Sequence, residues 1–398
     1  MSTQSFAELG VSSAVCRALA RRGITAPFPV QRVVLGDALA GRDVLVKSPT
    51  GSGKTLAFGI PLVERLQPGK RGPEGLVLAP TRELAVQIVE EVRDIAAARG
   101  IRAAAVYGGV GLASQAARAA RAHLIVATPG RLEDLLQRRA FALDAIRMLV
   151  LDEADRMLDM GFRPAIDRIV GACPATRQTM FFSATLEGVT GRVAADYTSL
   201  AILHEYGHQE SDQTPRVEHR FVAVRDDARV AALVHELGRE RERALVFVRT
   251  KRGADRLVKR LGVSGVQAVA IHGNRSQSQR TDALSRFQSG RTDTLVATDV
   301  AARGIDVDGV SHVINYDPPA DHQAYIHRIG RTARAGRAGV GITLFSAAER
   351  REIQQLARRL GLADGLGGPE DHAAVKPSGA RRRQRHRARP QTRASARR

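Results

Sequence analysis

The sequence predicts an α/β protein: two tandem parallel-sheet domains followed by a disordered basic C-terminal tail. Three observations carry this reading. Short apolar segments alternate with helix-length segments along most of the 398 residues. One polar stretch divides that alternation into two series. The last part of the chain gives up apolar positions for arginine.

The first series holds VLVKS (44–48), GLVLAP (75–80), HLIVATP (123–129), MLVLDEAD (148–155) and TMFFSAT (179–185). These segments are rich in Val, Leu and Ile and lack polar alternation, as strands buried on both faces of a parallel sheet do. Stretches such as TRELAVQIVEEVRDIAAA between them are long enough for helices, so the pattern is βαβ. The polar segment HEYGHQESDQTPRVEH (204–219) then interrupts it. A second series follows: RFVAV (220–224), ALVFVRT (244–250), VQAVAIHG (266–273), DTLVATD (293–299), SHVINYD (311–317) and VGITLF (340–345). The expected units are residues 1–205, a linker at 206–217, residues 218–360 and a tail at 361–398. Residues 381–398 carry nine arginines and no acidic residue, and blocks of like charge usually stay unfolded.

Composition narrows the partners. The formal net charge is +20 and the pI about 11.1, a surplus that favours a polyanion through phosphate contact and counterion release. Aromatic residues are only 4%, with no tryptophan, which argues against recognition by base stacking. No run of eighteen apolar residues occurs, so no membrane helix is expected. The opening MSTQSFAELG lacks the basic and apolar regions of a signal peptide. Cys16 and Cys173 are too few for a disulfide framework or a zinc site. A cytoplasmic protein is expected.

SPTGSGKT (48–55) follows a strand and opens a helix. The turn Ser48-Pro49-Thr50-Gly51-Ser52-Gly53 could be an ordinary glycine-rich loop. With Lys54 and Thr55 behind it, it reads as a phosphate loop, whose N–H groups and helix N-terminus attract anionic oxygens. Lys54 is expected to reach the β- and γ-phosphates of ATP, and Thr55 to hold Mg²⁺. Ser48 stands where that pattern usually begins with glycine. Asp152-Glu153-Ala154-Asp155 ends the apolar strand MLVL, where carboxylates point into the ligand crevice of an open α/β sheet. Asp152 is expected to hold Mg²⁺, and Glu153 to activate the attacking water.

With these motifs in this order the chain resembles the DEAD-box RNA helicases of helicase superfamily 2, from about Phe6 to about Phe345. The resemblance implies two RecA-like domains, an RNA-stimulated ATPase and local unwinding of RNA duplexes. An alternative within it is an ATP-gated RNA clamp or RNA–protein complex remodeller with little unwinding. GITAPFPVQ (23–31) resembles the family's adenine-reading motif, which implies that Gln31 reads the base edge and Ile24 packs on it, where many members have an aromatic residue. Pro80, Thr81 and Arg82, Gly109, and Thr128, Pro129, Gly130 and Arg131 resemble RNA-contacting motifs. Ser183, Ala184 and Thr185 resemble the motif that couples hydrolysis to strand separation.

In the second half, Thr250, Gln277, Arg280, Thr298 and Gly304 match RNA-contacting positions, and Asp306 a ribose contact. Arg249 stands where many members carry Asn. His327-Arg328-Ile329-Gly330-Arg331-Thr332-Ala333-Arg334 resembles the family's last motif. There His327 and Arg328 are implied in coupling and Arg331 and Arg334 as arginine fingers; Ala333 replaces a frequent glycine. Arg331 and Arg334, three residues apart, share one side of a helical turn. The family pattern implies ATP and Mg²⁺ as cofactors, and RNA bound through its backbone without sequence preference.

Overall fold

In the computed structural model, the described residues are 4–48, 52–70, 72–206, 217–302, 309–333 and 337–362. Pro49, Thr50, Gly51, Gly304, Asp306, Arg334 and nearly all of the arginine-rich tail lie outside them.

Seven strands form the first sheet: β1 (Val44–Lys47), β2 (Gly75–Leu78), β3 (Ala103–Val106), β4 (Leu124–Ala127), β5 (Met148–Leu151), β6 (Gln178–Ser183) and β7 (Ile202–Glu205). Their order is β3-β4-β2-β5-β6-β1-β7, with every pair parallel. Six more form the second sheet: β8 (Val217–Ala223), β9 (Arg243–Val248), β10 (Val269–Ile271), β11 (Thr294–Thr298), β12 (Val310–Asn315) and β13 (Gly339–Phe345). Their order is β10-β11-β9-β12-β13-β8, again all parallel. Helices cross between the strands, as parallel pairing requires. These are two RecA-like domains in tandem.

The sequence dictates which strands lie in the middle. β2, β4, β5 and β6 are buried at every residue, and their near-continuous apolar runs serve two cores at once. Val44, Val77, Val150 and Phe182 face one layer. Leu76, Leu149, Leu151 and Phe181 face the other, as the two-residue period of a strand demands. Fully burying such a side chain contributes about 1.5–3 kcal/mol. Phe58, on the helix Lys54–Arg65, meets Phe182 edge-on at 5.2 Å, so the helix opened by the phosphate loop is clamped onto the sheet. β3 and β7 are edge strands and only partly buried. The sequence reading did not find them: AAAV offers little apolar bulk, and ILHE mixes polar with apolar residues.

Chain order and sheet order disagree where it matters. β1 and β2 are consecutive in the chain but separated in the sheet by β6 and β5. Such a reversal opens a crevice at the carboxyl ends of the strands. The loops after β1, β5 and β6 all end there. No described helix is long and apolar enough to cross a membrane.

Candidate functional site

The crevice of the first domain gathers three motifs. Backbone pairing runs from β1 into the next loop, where Ser48 N–H donates to Ser183 O at 2.9 Å. Gly53 begins the helix Lys54–Arg65 with φ +89°, a left-handed conformation suited to glycine. A β-carbon there would lie 2.9 Å from Gln31 Nε2 and 3.2 Å from the Phe28 ring. Lys54 is buried and its Nζ donates to Ser48 O at 3.2 Å. Thr55 is half-buried one residue further on. The hydroxyls of Ser48 and Ser52 are buried with no hydrogen-bond partner among the described residues.

Gln31 is completely buried. Its Oε1 accepts from Phe28 N–H at 2.9 Å, and its Nε2 donates to Gly53 O at 2.9 Å. The amide therefore pins the start of its own helix to the phosphate loop. Ile24 is half-buried against the first core.

Asp152-Glu153-Ala154-Asp155 forms the turn after β5. Glu153 has φ +51°, which costs a non-glycine residue about 1–2 kcal/mol, and such strain collects at functional sites. Burial pushes the Asp152 carboxyl up to about 6, against the pull of Lys54. Burial also pushes Glu153 up, but Arg156, Arg331 and Lys54 outweigh it and hold that carboxyl down at about 2. Arg156 is buried beside Glu153, with Nη1 donating to Oε2 at 3.1 Å. Neighbouring carboxylates in one turn thus titrate in opposite directions, and the difference is the arginines around Glu153. Asp155 ties in the loop after β6. It accepts from Ala184 N–H at 3.2 Å and Thr185 Oγ1 at 3.4 Å, while its own N–H donates to Ser183 Oγ at 3.3 Å.

The second domain faces this turn. His327 lies near enough to Arg156, Asp155 and Glu153 to feel their charges; burial, helped by Arg156, drives its imidazole down to about 4. It is therefore neutral near pH 7. Arg331 is buried and its charge reaches Glu153. Arg328 belongs to its own domain. It grips Asp299 at 2.6 and 2.7 Å, Asn315 Oδ1 at 3.0 Å and Asp317 O at 2.7 Å. Its guanidinium lies 5.0 Å from the centre of the Phe247 ring. Arg331 does not lie on the helical turn expected for it: the helix ends at Ile329, and Ala333 adopts φ +54°, the left-handed conformation that glycine would take at lower cost.

The remaining candidates line the same edge of both sheets. Pro80 and Thr81 are buried, and Thr81 caps the helix Arg82–Ala98, accepting from Leu84 N–H at 3.3 Å. Arg82 packs on Gly108 and Gly109; a β-carbon at Gly109 would lie 2.2 Å from its Nη1. Thr128 and Pro129 start the helix Pro129–Gln137, Thr128 without a capping bond, and Gly130 is exposed in open space. Arg131 Nη1 donates to Val110 O and Gln115 Oε1, both at 3.1 Å, which holds the Gly108-Gly109 loop. Across the cleft, Thr250 caps Lys251–Val263, accepting from Gly253 N–H at 3.0 Å. Thr298 ends β11 and is buried.

Gln277 and Arg280, expected among the RNA contacts, have protein partners here. Gln277 Nε2 donates to Glu83 Oε1 at 3.2 Å, and Arg280 Nη2 lies 2.7 Å from Glu83 Oε2. Glu83 belongs to the first domain, so this buried cluster ties the two domains together. Sequence reasoning missed Glu83 and Arg156 as site residues. Arg156 had a signal, three helical positions after Glu153; Glu83 stood inside the segment Pro80-Thr81-Arg82-Glu83-Leu84-Ala85, but its pairing left no signal, because its partner is 194 residues away.

Arg328→Ala should destabilise the protein by about 1.5–3 kcal/mol, because half-buried Asp299 and buried Asn315 lose their charged donor. Denaturant unfolding measures this, and a loss below about 1 kcal/mol would show that Arg328 does not organise the domain.

Comparison with known proteins agrees with this architecture. The family model for DEAD/DEAH box helicase matches residues 28–192, and that for the helicase conserved C-terminal domain matches residues 228–336. The DEAD-box ATP-dependent RNA helicase CshA of Geobacillus kaustophilus is 41% identical over 354 residues, 88% of this chain and 75% of the relative. That of Bacillus licheniformis is 39% identical over 362 residues, 90% of this chain and 74% of the relative. Among solved structures, S. cerevisiae Dbp5 bound to RNA and ADP BeF3 superposes with a TM-score of 0.81 at 30% identity, over 90% of this chain and 94% of that one. A DEAD box protein from the hyperthermophile Methanococcus jannaschii, at 34% identity and over 90% of this chain and 97% of that one, gives 0.53. The chain belongs to the DEAD-box family of ATP-dependent RNA helicases.

Proposed function

We propose that this helicase holds MgATP between its two domains, that the same closure grips RNA along its backbone, and that the following residues carry the chemistry. The carrying observation is the placement of Arg331 and His327, from the second domain, against the Asp152–Asp155 turn of the first.

The residues fit the cofactor. Two buried serine hydroxyls without described partners, Ser48 and Ser52, suit phosphate oxygens. A buried Asp152 with a raised carboxyl suits a divalent cation. No group of three or more His, Cys, Asp or Glu able to hold a metal occurs among the described residues, so Thr55 and Asp152 would share Mg²⁺ with the nucleotide, as is usual for this ion. Bound MgATP supplies a phosphoanhydride whose terminal phosphoryl group passes to water. Lys54 offers a cation to the phosphates from the helix N-terminus. Glu153 stays ionised under its three cations and can accept hydrogen bonds from water. Arg331, and Arg334 by the family pattern, add positive charge where negative charge develops. Gln31 would read adenine only by giving up or sharing its bonds to Phe28 and Gly53. Ile24 and Asp306 would complete the base and ribose contacts.

RNA contact is proposed for Pro80, Thr81, Arg82, Gly109, Thr128, Pro129, Gly130, Arg131, Thr250, Thr298 and Gly304. Helix starts and hydroxyls suit phosphate oxygens and carry no sequence information. Gln277 and Arg280 serve RNA indirectly, by locking Glu83 beside Thr81 and Arg82. Ser183, Ala184 and Thr185, through Asp155, connect the ATP turn to β6 and its exit loop. The likeness to an RNA-bound Dbp5 across both domains supports this arrangement. Units at 1–205 and 218–360, a linker at 206–217, a basic tail from 361 that adds RNA affinity, and a cytoplasmic setting belong to the same proposal.

Glu153→Gln should leave RNA binding with ATP intact while cutting RNA-stimulated ATPase by at least about 100-fold, the range of a lost general base. Near-normal turnover would remove Glu153 from the role.

Arg280→Ala should raise the RNA concentration for half-maximal ATPase by roughly tenfold or more, since a buried carboxylate is left without its partner. Nucleotide affinity without RNA should not change. If RNA affinity measured without nucleotide falls equally, Arg280 touches RNA directly.

A further inference from the structure

We propose that a cavity at the opposite end of the first sheet binds a small phosphate-bearing polyanion. It is formed where the strands begin, between the start of β5, the start of β6, Gly41 and the end of the helix Lys54–Arg65. Its volume is about 530 Å³, within the usual size of small-ligand sites. β5 and β6 run their full length from here to the Asp152 and Ser183 loops, more than about 10 Å at 3.3 Å per residue. The cavity is therefore distinct from the site of ATP chemistry.

Its charged lining is one-sided: Arg65, Lys70, Arg147 and Arg177 face Glu74 and Asp144. Glu74 is buried and already matched. Lys70 Nζ is 3.3 Å and Arg147 Nη1 3.9 Å from its carboxylate, and it accepts from Gln67 N–H at 3.0 Å. Asp144 is exposed.

Arg65 and Arg177 have no carboxylate partner among the described residues. Arg65 Nη1 donates to Leu39 O at 2.8 Å. Arg177 donates to Pro174 O at 3.0 Å and Tyr197 O at 3.4 Å. The Nε atom of each is buried without an acceptor.

Six arginines among the described residues have a buried Nε without an acceptor, and two of them, Arg65 and Arg177, line this one cavity. Burial, and then the charge of Arg147, disfavours the Arg65 cation. An anion seated between these guanidiniums would relieve the repulsion. It would also accept forked hydrogen bonds, the geometry in which arginine recognises phosphate. Gly41 makes the approach possible: at φ +83° it carries no β-carbon, and one there would lie 2.6 Å from Arg65 Nη2. Lys70 and Arg147, 58% and 46% exposed, stand where an incoming anion would first meet the protein.

Tripolyphosphate is a suitable probe, titrated calorimetrically into the full chain in the presence of saturating ADP at two salt concentrations. One saturable site is expected, weakening as salt rises. Arg65→Gln/Arg177→Gln should lower its affinity by about tenfold or more, as expected for lost hydrogen bonds between charged groups. Arg147→Gln, changed at an exposed side chain 3.9 Å from Glu74, should lower it severalfold with at most a small fall in melting temperature, since Lys70 still pairs with Glu74, and it decides the matter if the double variant melts early. ADP affinity should be equal in all three proteins. Absence of a saturable site under ADP, or equal tripolyphosphate affinity in wild type and Arg147→Gln, would overturn the proposal.

Discussion

Charge burial in the first domain governs the rest of the structure. Lys54, Asp152, Glu153, Asp155 and Arg156 are all nearly inaccessible to water, and an ionised group without a partner is costly there. Arg156 answers Glu153 from within the domain, and Arg331 adds to it from the other. The balance at this turn therefore depends on where the second domain sits. On the proposed reading, a nucleotide that adds phosphate charge at the phosphate loop raises the demand for cations and favours the placement that brings Arg331 close, so that electrostatics links chemistry to domain position.

The Glu83 cluster extends that link to the far side of the cleft. Glu83 follows Thr81 and Arg82 and is gripped by Arg280 and Gln277. The groups proposed to meet the RNA backbone in the first domain are thus held in register with the second. Arg328 plays the complementary part inside its domain, fastening the helix His322–Ile329, which carries His327 and ends two residues before Arg331, to Asp299, Asn315 and Asp317. The proposed finger, Arg331, therefore follows a helix fixed by Arg328, which suits transition-state stabilisation.

Much of this was legible in the residues. Phosphate chemistry demands glycine, lysine and hydroxyl at fixed spacing, so the 48–55 loop stands out. Strands buried on both faces must be apolar throughout, so β2, β4, β5 and β6 stand out too. The edge strands β3 and β7 did not, because one side of each meets solvent and needs no apolar run. Gln277 and Arg280 were expected as RNA contacts and not as partners of Glu83, since pairing across nearly half the chain leaves no local trace. The left-handed backbone at Glu153 and Ala333 is equally silent in sequence. At Ala333 the methyl group adds strain that glycine would avoid, while at Glu153 the strained turn lies just past the carboxyl end of β5. The second cavity was invisible for the same reason as the Glu83 cluster: its arginines come from a helix end and two loops far apart in the chain.

The central claim is that one closure serves both ligands, and coupling between them tests it most directly. Fluorescence titration would give the dissociation constant of a single-stranded RNA with and without a saturating non-hydrolysable ATP analogue, and that of the analogue with and without RNA. The account predicts that each ligand tightens the other by the same factor, within or above the roughly 5–150-fold range of ordinary coupling. An RNA affinity unchanged by the analogue would mean that the two sites close independently, and would contradict it.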